Sequence, residues 1–314
     1  MFAPRFYGRA VPGVIASPLS VSERQGARVS RVIQFIHPGR QPPSPLVAGS
    51  RKVWNRLPGH FRSFIEARGQ VLADPDQQPQ THDYVRFWGE WEAEADITLV
   101  FPRPPGRCDA KMCIRSRVTS PTVFDGQQNT DPFVFDGPFI YSICQQPKKP
   151  SLRSLEPGDV ILFGSSLGGH FILDTVFVVL SREPYQPRTE GPATAPPSFR
   201  TVTHWPLSQR AKSQACAESN DACSAGEELA FYRGATPEQR VEGMFSFAPA
   251  IIASASRQSF RRPWLAPSGV LETCISPGLT QGVKITPMET RAVWDEVVRR
   301  ARAEQLLLGV AFDT

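Results

Sequence analysis

The stretch from Glu156 to Leu180 does most to limit what this chain can fold into. Glu156-Pro157-Gly158-Asp159 has proline at the second position and glycine at the third, which suits a tight turn. Val160 to Phe163 is an apolar run of strand length, Gly164 to Gly169 (GSSLGG) is glycine-rich, and His170 to Leu180 (HFILDTVFVVL) is a second, longer apolar run. Two such runs joined by a short glycine loop predict a β-hairpin. Just upstream, Phe133-Val134-Phe135 and Phe139 to Cys144 flank Asp136-Gly137, a strong hairpin dipeptide weakened here by Pro138. Consecutive hairpins predict an antiparallel meander. Tyr84 to Glu92 (YVRFWGEWE) alternates, with Val85, Phe87 and Trp91 on one face and Arg86, Trp88, Glu90 and Glu92 on the other. The expectation is one curved antiparallel sheet or barrel holding strands at 84–92, 132–135, 138–144, 159–164 and 170–180.

The remaining elements attach to that core. Residues 1–28 lack pattern and read as an irregular arm. Val29 to Ile36 (VSRVIQFI) reads as a buried strand ended by a His37-Pro38-Gly39 turn. Phe61, Phe64 and Ile65 stand at helical spacing and predict a short helix over 58–68, ended by Gly69. Residues 181–228, rich in Pro, Ser, Ala and Thr, read as a flexible insertion without regular structure. The part from 229 to 314 completes the core and ends in a helix. There Thr286 is the N-cap, Pro287 the first helical residue and Glu289 the capping-box partner. Val293, Val297 and Ala301 face inward, and Gly309 is expected to close the helix. The organisation is thus arm 1–28, core 29–180, insertion 181–228 and completing part 229–314, in an α+β fold.

With 314 residues, 40% hydrophobic and 21% charged, the chain can bury a sizeable core. No apolar run reaches the length of a membrane span, and Met1 to Ser17 has no continuous apolar segment, so a cytoplasmic location and no membrane partner are expected. Neither Cys108 and Cys113 nor Cys216 and Cys223 have metal-ribbon or redox spacing, and reduced thiols are expected for all six cysteines. The net charge is +5, carried almost entirely by arginine; the only lysines are Lys52, Lys111, Lys148, Lys149, Lys212 and Lys284. Arginine suits planar phosphate recognition, so the balance permits a nucleic acid or nucleotide partner.

Three constellations could carry chemistry. Asp174 interrupts an apolar strand, where a lone carboxylate must find a partner, stay protonated or face a cavity. His170 and Ile172 are expected on its face, and Arg153 or Arg233 as its partner. His37, Asn55 and His60 lie around a strand end and the segment after it, with Lys52 and Trp54 between. Their spacing matches no zinc motif, so neither a metal nor a cofactor is expected. Trp88 between Arg86 and Glu90 would make a platform for a flat ring and its polar edge. Cys144 has no neighbouring base in sequence to lower its pKa and reads as an inert thiol. GSSLGG joins two strands and lacks a phosphate-loop ending, so it reads as a hairpin loop.

From Asp131 to Leu180 the order is an aromatic hairpin, Cys144, a polar linker, Leu152-Arg153, Pro157-Gly158-Asp159-Val160-Ile161-Leu162-Phe163-Gly164-Ser165, a glycine loop and a strand ending Val178-Val179. This resembles the PUA-like superfamily: the EVE and ASCH domains and the nucleotide-modification-associated domains. The resemblance implies a PUA-like β-barrel with peripheral helices and a pocket for a base, often a modified one, in nucleic acid or a nucleotide. On that reading Trp88 stacks on the base, Asp174 or Glu90 reads its edge, Asn55 lines the pocket, and Arg86, Arg153 and Arg233 meet phosphate. Two alternatives stay open. One is a small-molecule hydrolase or transferase with His37 as general base and Asp174 orienting or protonating. The other is a protein-interaction module using residues 181–228.

Overall fold

The computed structural model describes residues 29–37, 47–55, 60–101, 112–120, 129–189, 191–210, 228–268, 270–271 and 280–314. The expected arm 1–28 lies outside the described residues, as do residues 211–227 of the expected insertion. In chain order the described strands are β1 (Ser30–His37), β2 (Arg51–Lys52), β3 (Arg62–Leu72), β4 (Gln80–Glu90), β5 (Ala95–Val100), β6 (Met112–Ser116), β7 (Ile140–Tyr141), β8 (Val160–Leu167), β9 (His170–Tyr185), β10 (Leu229–Gly234), β11 (Ala248–Ile252), β12 (Trp264–Leu265), β13 (Thr280–Ile285) and β14 (Leu307–Phe312).

They form two sheets. One runs β13-β1-β8-β9-β10-β7, with β12 also on β9; the other runs β14-β11-β4-β3-β6-β5-β2, with β14 also pairing β3. The fold is mixed α+β and mostly sheet, and the sheets are not closed barrels. Pairing is antiparallel except β1–β8 and β3–β6, which are parallel. The expected single sheet is therefore two: 84–90 belongs to β4 in the second sheet, while β7, β8 and β9 belong to the first. Of the 132–144 hairpin, Phe133 and Ile140 exchange both backbone hydrogen bonds, at 2.8 and 2.7 Å, and only Ile140–Tyr141 is a strand.

Residues 58 and 59 of the helix expected over 58–68 lie outside the described residues; from Arg62 the chain is instead β3, an eleven-residue strand. Phe64 packs in one core with Trp88, Leu162 and Val176, whereas Ile65 and Ala67 pack in the other with Val85, Phe87 and Phe163. A strand covered on both faces buries successive residues, so its apolar positions lose the alternation that marks a half-exposed strand.

The β8–β9 hairpin is present, with the turn displaced. Gly164 to Leu167 continue β8, and only Gly168 and Gly169, both left-handed at φ +59° and +78°, make the turn. Between the pairs Phe163–Thr175 and Gly164–Leu173 the register slips by one residue, and the extra residue on β9 is Asp174.

Residues 181–185 extend β9, and Pro197–Phe199 runs into a π-helical turn, Arg200–His204. Phe199 and Val202 are fully buried, and the Phe199 ring meets Phe133 and Phe231 edge-on at 5.5 and 5.4 Å. These apolar anchors order a stretch whose composition suggested none. The C-terminal helix, Pro287–Ala303, has the Thr286–Glu289 capping box and buries Val293, Val297 and Ala301. It ends at Ala303; Gly309 is a β14 residue instead, where the Phe312 ring leaves no room for a β-carbon. Among the described residues, no helix is long and apolar enough to cross a membrane.

Candidate functional site

The site forms where β1 and β4 end. Arg62 on β3 pairs with Glu90, the last residue of β4, and donates from Nη2 to Glu90 Oε2 at 2.9 Å. Two residues on, Glu92 turns the same way, while Trp91 between them points into the core against Phe135 and donates from its indole to the Glu94 carbonyl at 2.7 Å. The Glu92 N–H donates to Thr130 Oγ1 at 3.1 Å, and its carbonyl accepts from the Asn55 N–H at 2.9 Å. His60 brings one ring nitrogen, Nδ1, to 2.9 Å from Glu90 Oε1 and 3.1 Å from Glu92 Oε1. His37, the last residue of β1, sets Nδ1 3.4 Å from Glu90 Oε2. The His37 and His60 ring centres are 6.3 Å apart. The fold thus assembles His37, Asn55 and His60, as the sequence suggested, and adds Glu90 and Glu92.

A second set of charges backs the first. Asp174, buried, takes a hydrogen bond from Arg262 Nη1 at 2.9 Å and stands 3.7 Å from Arg62 Nε. Its partners are therefore Arg262 and Arg62, not Arg153 or Arg233. Arg262 also donates to Ser165 Oγ at 2.7 Å. Arg62 consequently links Glu90 in the second sheet to Asp174 in the first.

The other expected ligand residues are engaged. Trp88 is 1% exposed, and the Arg262 guanidinium lies 4.5 Å over its ring, where a stacked base was expected. Its face is covered because β4, like β3, is buried on both sides. Arg86 is bound by Glu66 at 2.6 and 2.8 Å and by the Gln258 carbonyl at 2.8 Å. Arg153 donates to the Glu228 carbonyl at 3.3 Å, and Arg233 lies on β10 opposite Ile140 and Ser181. Among the described residues, neither takes part in the ion pairs of Glu90 or Asp174.

Burial dominates the electrostatics. It pushes the Glu92 carboxyl well above its ordinary pKa, and neighbouring Glu90 adds to the rise while His60 opposes it. For His60, burial works against the charged ring, and the two facing carboxylates outweigh it and raise the pKa. Asp131 accepts backbone N–H donors from Ser142, Ile143 and Cys144 at 3.1, 2.9 and 2.7 Å; burial nevertheless raises it to about 6. Lys52 donates to the carbonyls of Trp91 and Ala93, and burial lowers it to about 8. Cys144 is pushed up to about 12 by burial, as suits an inert thiol.

Donor atoms of His60, Glu90 and Glu92 lie within 4.8 Å of one another, so these three residues could hold a metal ion. The sequence pointed to His60 and to Glu90 in separate constellations, 30 residues apart, and only the fold brings them together and adds Glu92. The available signal was Glu90-x-Glu92 at a strand end, which sets two carboxylates on one side. No protein-family model, curated protein or solved structure matches the chain.

Proposed function

We propose that this protein is a small-molecule hydrolase or transferase whose reaction centre is the cluster of His37, His60, Glu90 and Glu92. The observation that supports this most is the competition of two buried carboxylates for one imidazole nitrogen, His60 Nδ1. A structural ion pair satisfies its atoms, and buried polar groups left short of partners gather at functional sites. His60, with a side chain 34% exposed, is the way in from solvent, while the carboxylates behind it are wholly buried.

In this reading Glu92, kept protonated by burial and by Glu90, donates a proton to a leaving group. In the same step His37 takes one from the attacking water or hydroxyl. Asp174 is a positioning residue: it fixes Arg62, which holds Glu90. A proton donor and a proton acceptor in one cluster are what acid–base chemistry requires.

The test is turnover of a defined pool of metabolites, followed by mass spectrometry, with wild type against Glu90→Gln and His37→Gln. Modified and unmodified nucleosides and nucleotides belong in the pool, because the resemblance implies a base-binding pocket. One compound consumed by wild type and spared by both variants is the expected result. Consumption by neither wild type nor variants, or equal consumption by all three, would overturn the reading.

A further inference from the structure

We propose that His60, Glu90 and Glu92 form a binding site for one divalent first-row transition ion, with His37 at its edge. The inference rests on reading this cluster as the functional site. Its test is binding, not turnover, so the two can fail separately.

The distances carry the argument. Donors that share an ion at about 2.0–2.2 Å stand about 3.0–3.5 Å apart in octahedral or tetrahedral geometry. His60 Nδ1 is 2.9 Å from Glu90 Oε1 and 3.1 Å from Glu92 Oε1, close to that separation. An isolated hydrogen-bonded pair also gives such a distance. Two carboxylate oxygens around one nitrogen do not follow from pairing, because Nδ1 has a single proton to share.

A second, independent observation points the same way. His37 is 2% exposed, and neither of its ring nitrogens has a hydrogen-bond partner, although Nδ1 faces Glu90 at 3.4 Å. An imidazole buried with both nitrogens free of hydrogen bonds is costly unless something is meant to meet it. Charge agrees once the metal takes the place of the protons the cluster holds: two carboxylates then offer the two negative charges a divalent ion needs. Imidazole in the donor set favours zinc, iron or nickel, the two carboxylates also suit manganese, and calcium prefers oxygen alone.

The surroundings of the donors are those of a held ligand set. Arg62 binds the outer oxygen of Glu90, and the Glu92 backbone is fixed at both its N–H and its carbonyl. Such outer contacts orient metal ligands.

Purified full-length protein, stripped with chelator, is titrated with zinc and separately with manganese. Glu92→Gln, His60→Asn and the control His170→Asn are run in parallel, each checked for a native circular-dichroism spectrum. His170 lies against Trp264, outside the cluster. One equivalent per chain is expected for wild type and for His170→Asn. The folded site variants should bind at least about tenfold more weakly, the least expected when a ligand rather than its support is lost. If a site variant fails to fold, the nitrogen resonances of labelled histidines in wild type decide: zinc should shift His60 and His37 and leave His82, His170 and His204 in place. Absence of stoichiometric binding of either ion, binding unchanged in Glu92→Gln, or shifts confined to His82, His170 and His204 would each overturn the site.

Discussion

Asp131 shows how much one buried carboxylate can shape this protein. Three backbone N–H groups converge on it, yet burial, reinforced by Glu90, raises its pKa from 3.8 to about 6. A carboxyl whose pKa rises on folding binds its proton more tightly in the native state. Its stabilising contribution is therefore complete below the unfolded pKa and disappears as pH climbs through 6. A shift of that size corresponds to about 3 kcal/mol lost between roughly pH 4 and 6. Asp131→Asn cannot titrate, so its unfolding free energy in urea should fall less over that interval than wild type's. Parallel pH profiles would show that Asp131 does not carry the effect. Legibility was uneven at this scale. Asp174 stood out because a carboxylate inside an apolar run demands a partner. The partner itself was hidden, since Arg262 is 88 residues away and packs through tertiary structure alone. Trp88 misled for a related reason: alternation separates two faces and does not say that both are covered.

Among the elements, the β8–β9 hairpin was the most readable and still concealed its bulge. Turn residues and apolar runs announce a hairpin; they do not announce a bulge. Gly164 makes the bulge feasible. A β-carbon there would stand 2.4 Å from the Ile172 carbonyl oxygen and 2.6 Å from the Phe171 ring, so the strands could not keep their approach. Gly168 differs: its φ of +59° strains any other residue, but a β-carbon meets nothing within 4 Å. Gly168→Ala should therefore cost about 1–2 kcal/mol, the ordinary left-handed penalty. Gly164→Ala should cost more and displace Asp174 from Arg262. Melting temperatures of the two variants test the ranking, and equal temperatures would refute it. The C-terminal helix was legible to its capping box because capping is local. Strand β3 was not, because its identity depends on two cores that only the assembled chain supplies.

For the whole molecule the decisive fact is that both sheets are sewn from distant parts of the chain. The first sheet joins β1 to β13, and the second places β14 beside both β11 and β3. Arg62 then ties Glu90 in one sheet to Asp174 in the other. Neither sheet can form while the other end of the chain is unfolded, so the described structure should unfold as one unit. Tryptophans report on both cores: Trp91 lies in one, Trp88 and Trp294 in the other. Heating should give coincident transitions by tryptophan fluorescence and by far-ultraviolet circular dichroism. Variants that retain only Trp91 or only Trp294 should melt with one shared midpoint. Truncation before Leu307 removes β14, and with it the backbone partners of Gly69 to Leu72 and of Ala248 to Ala250. It should abolish the cooperative transition altogether, since those residues, Gln70 excepted, are buried in the second sheet. Two separate midpoints in the single-tryptophan variants, or a cooperative melt in the truncated chain, would show that the sheets are independent. The cluster of histidines and carboxylates at their junction would then have to be held by one sheet alone, which the Arg62 bridge to Asp174 argues against.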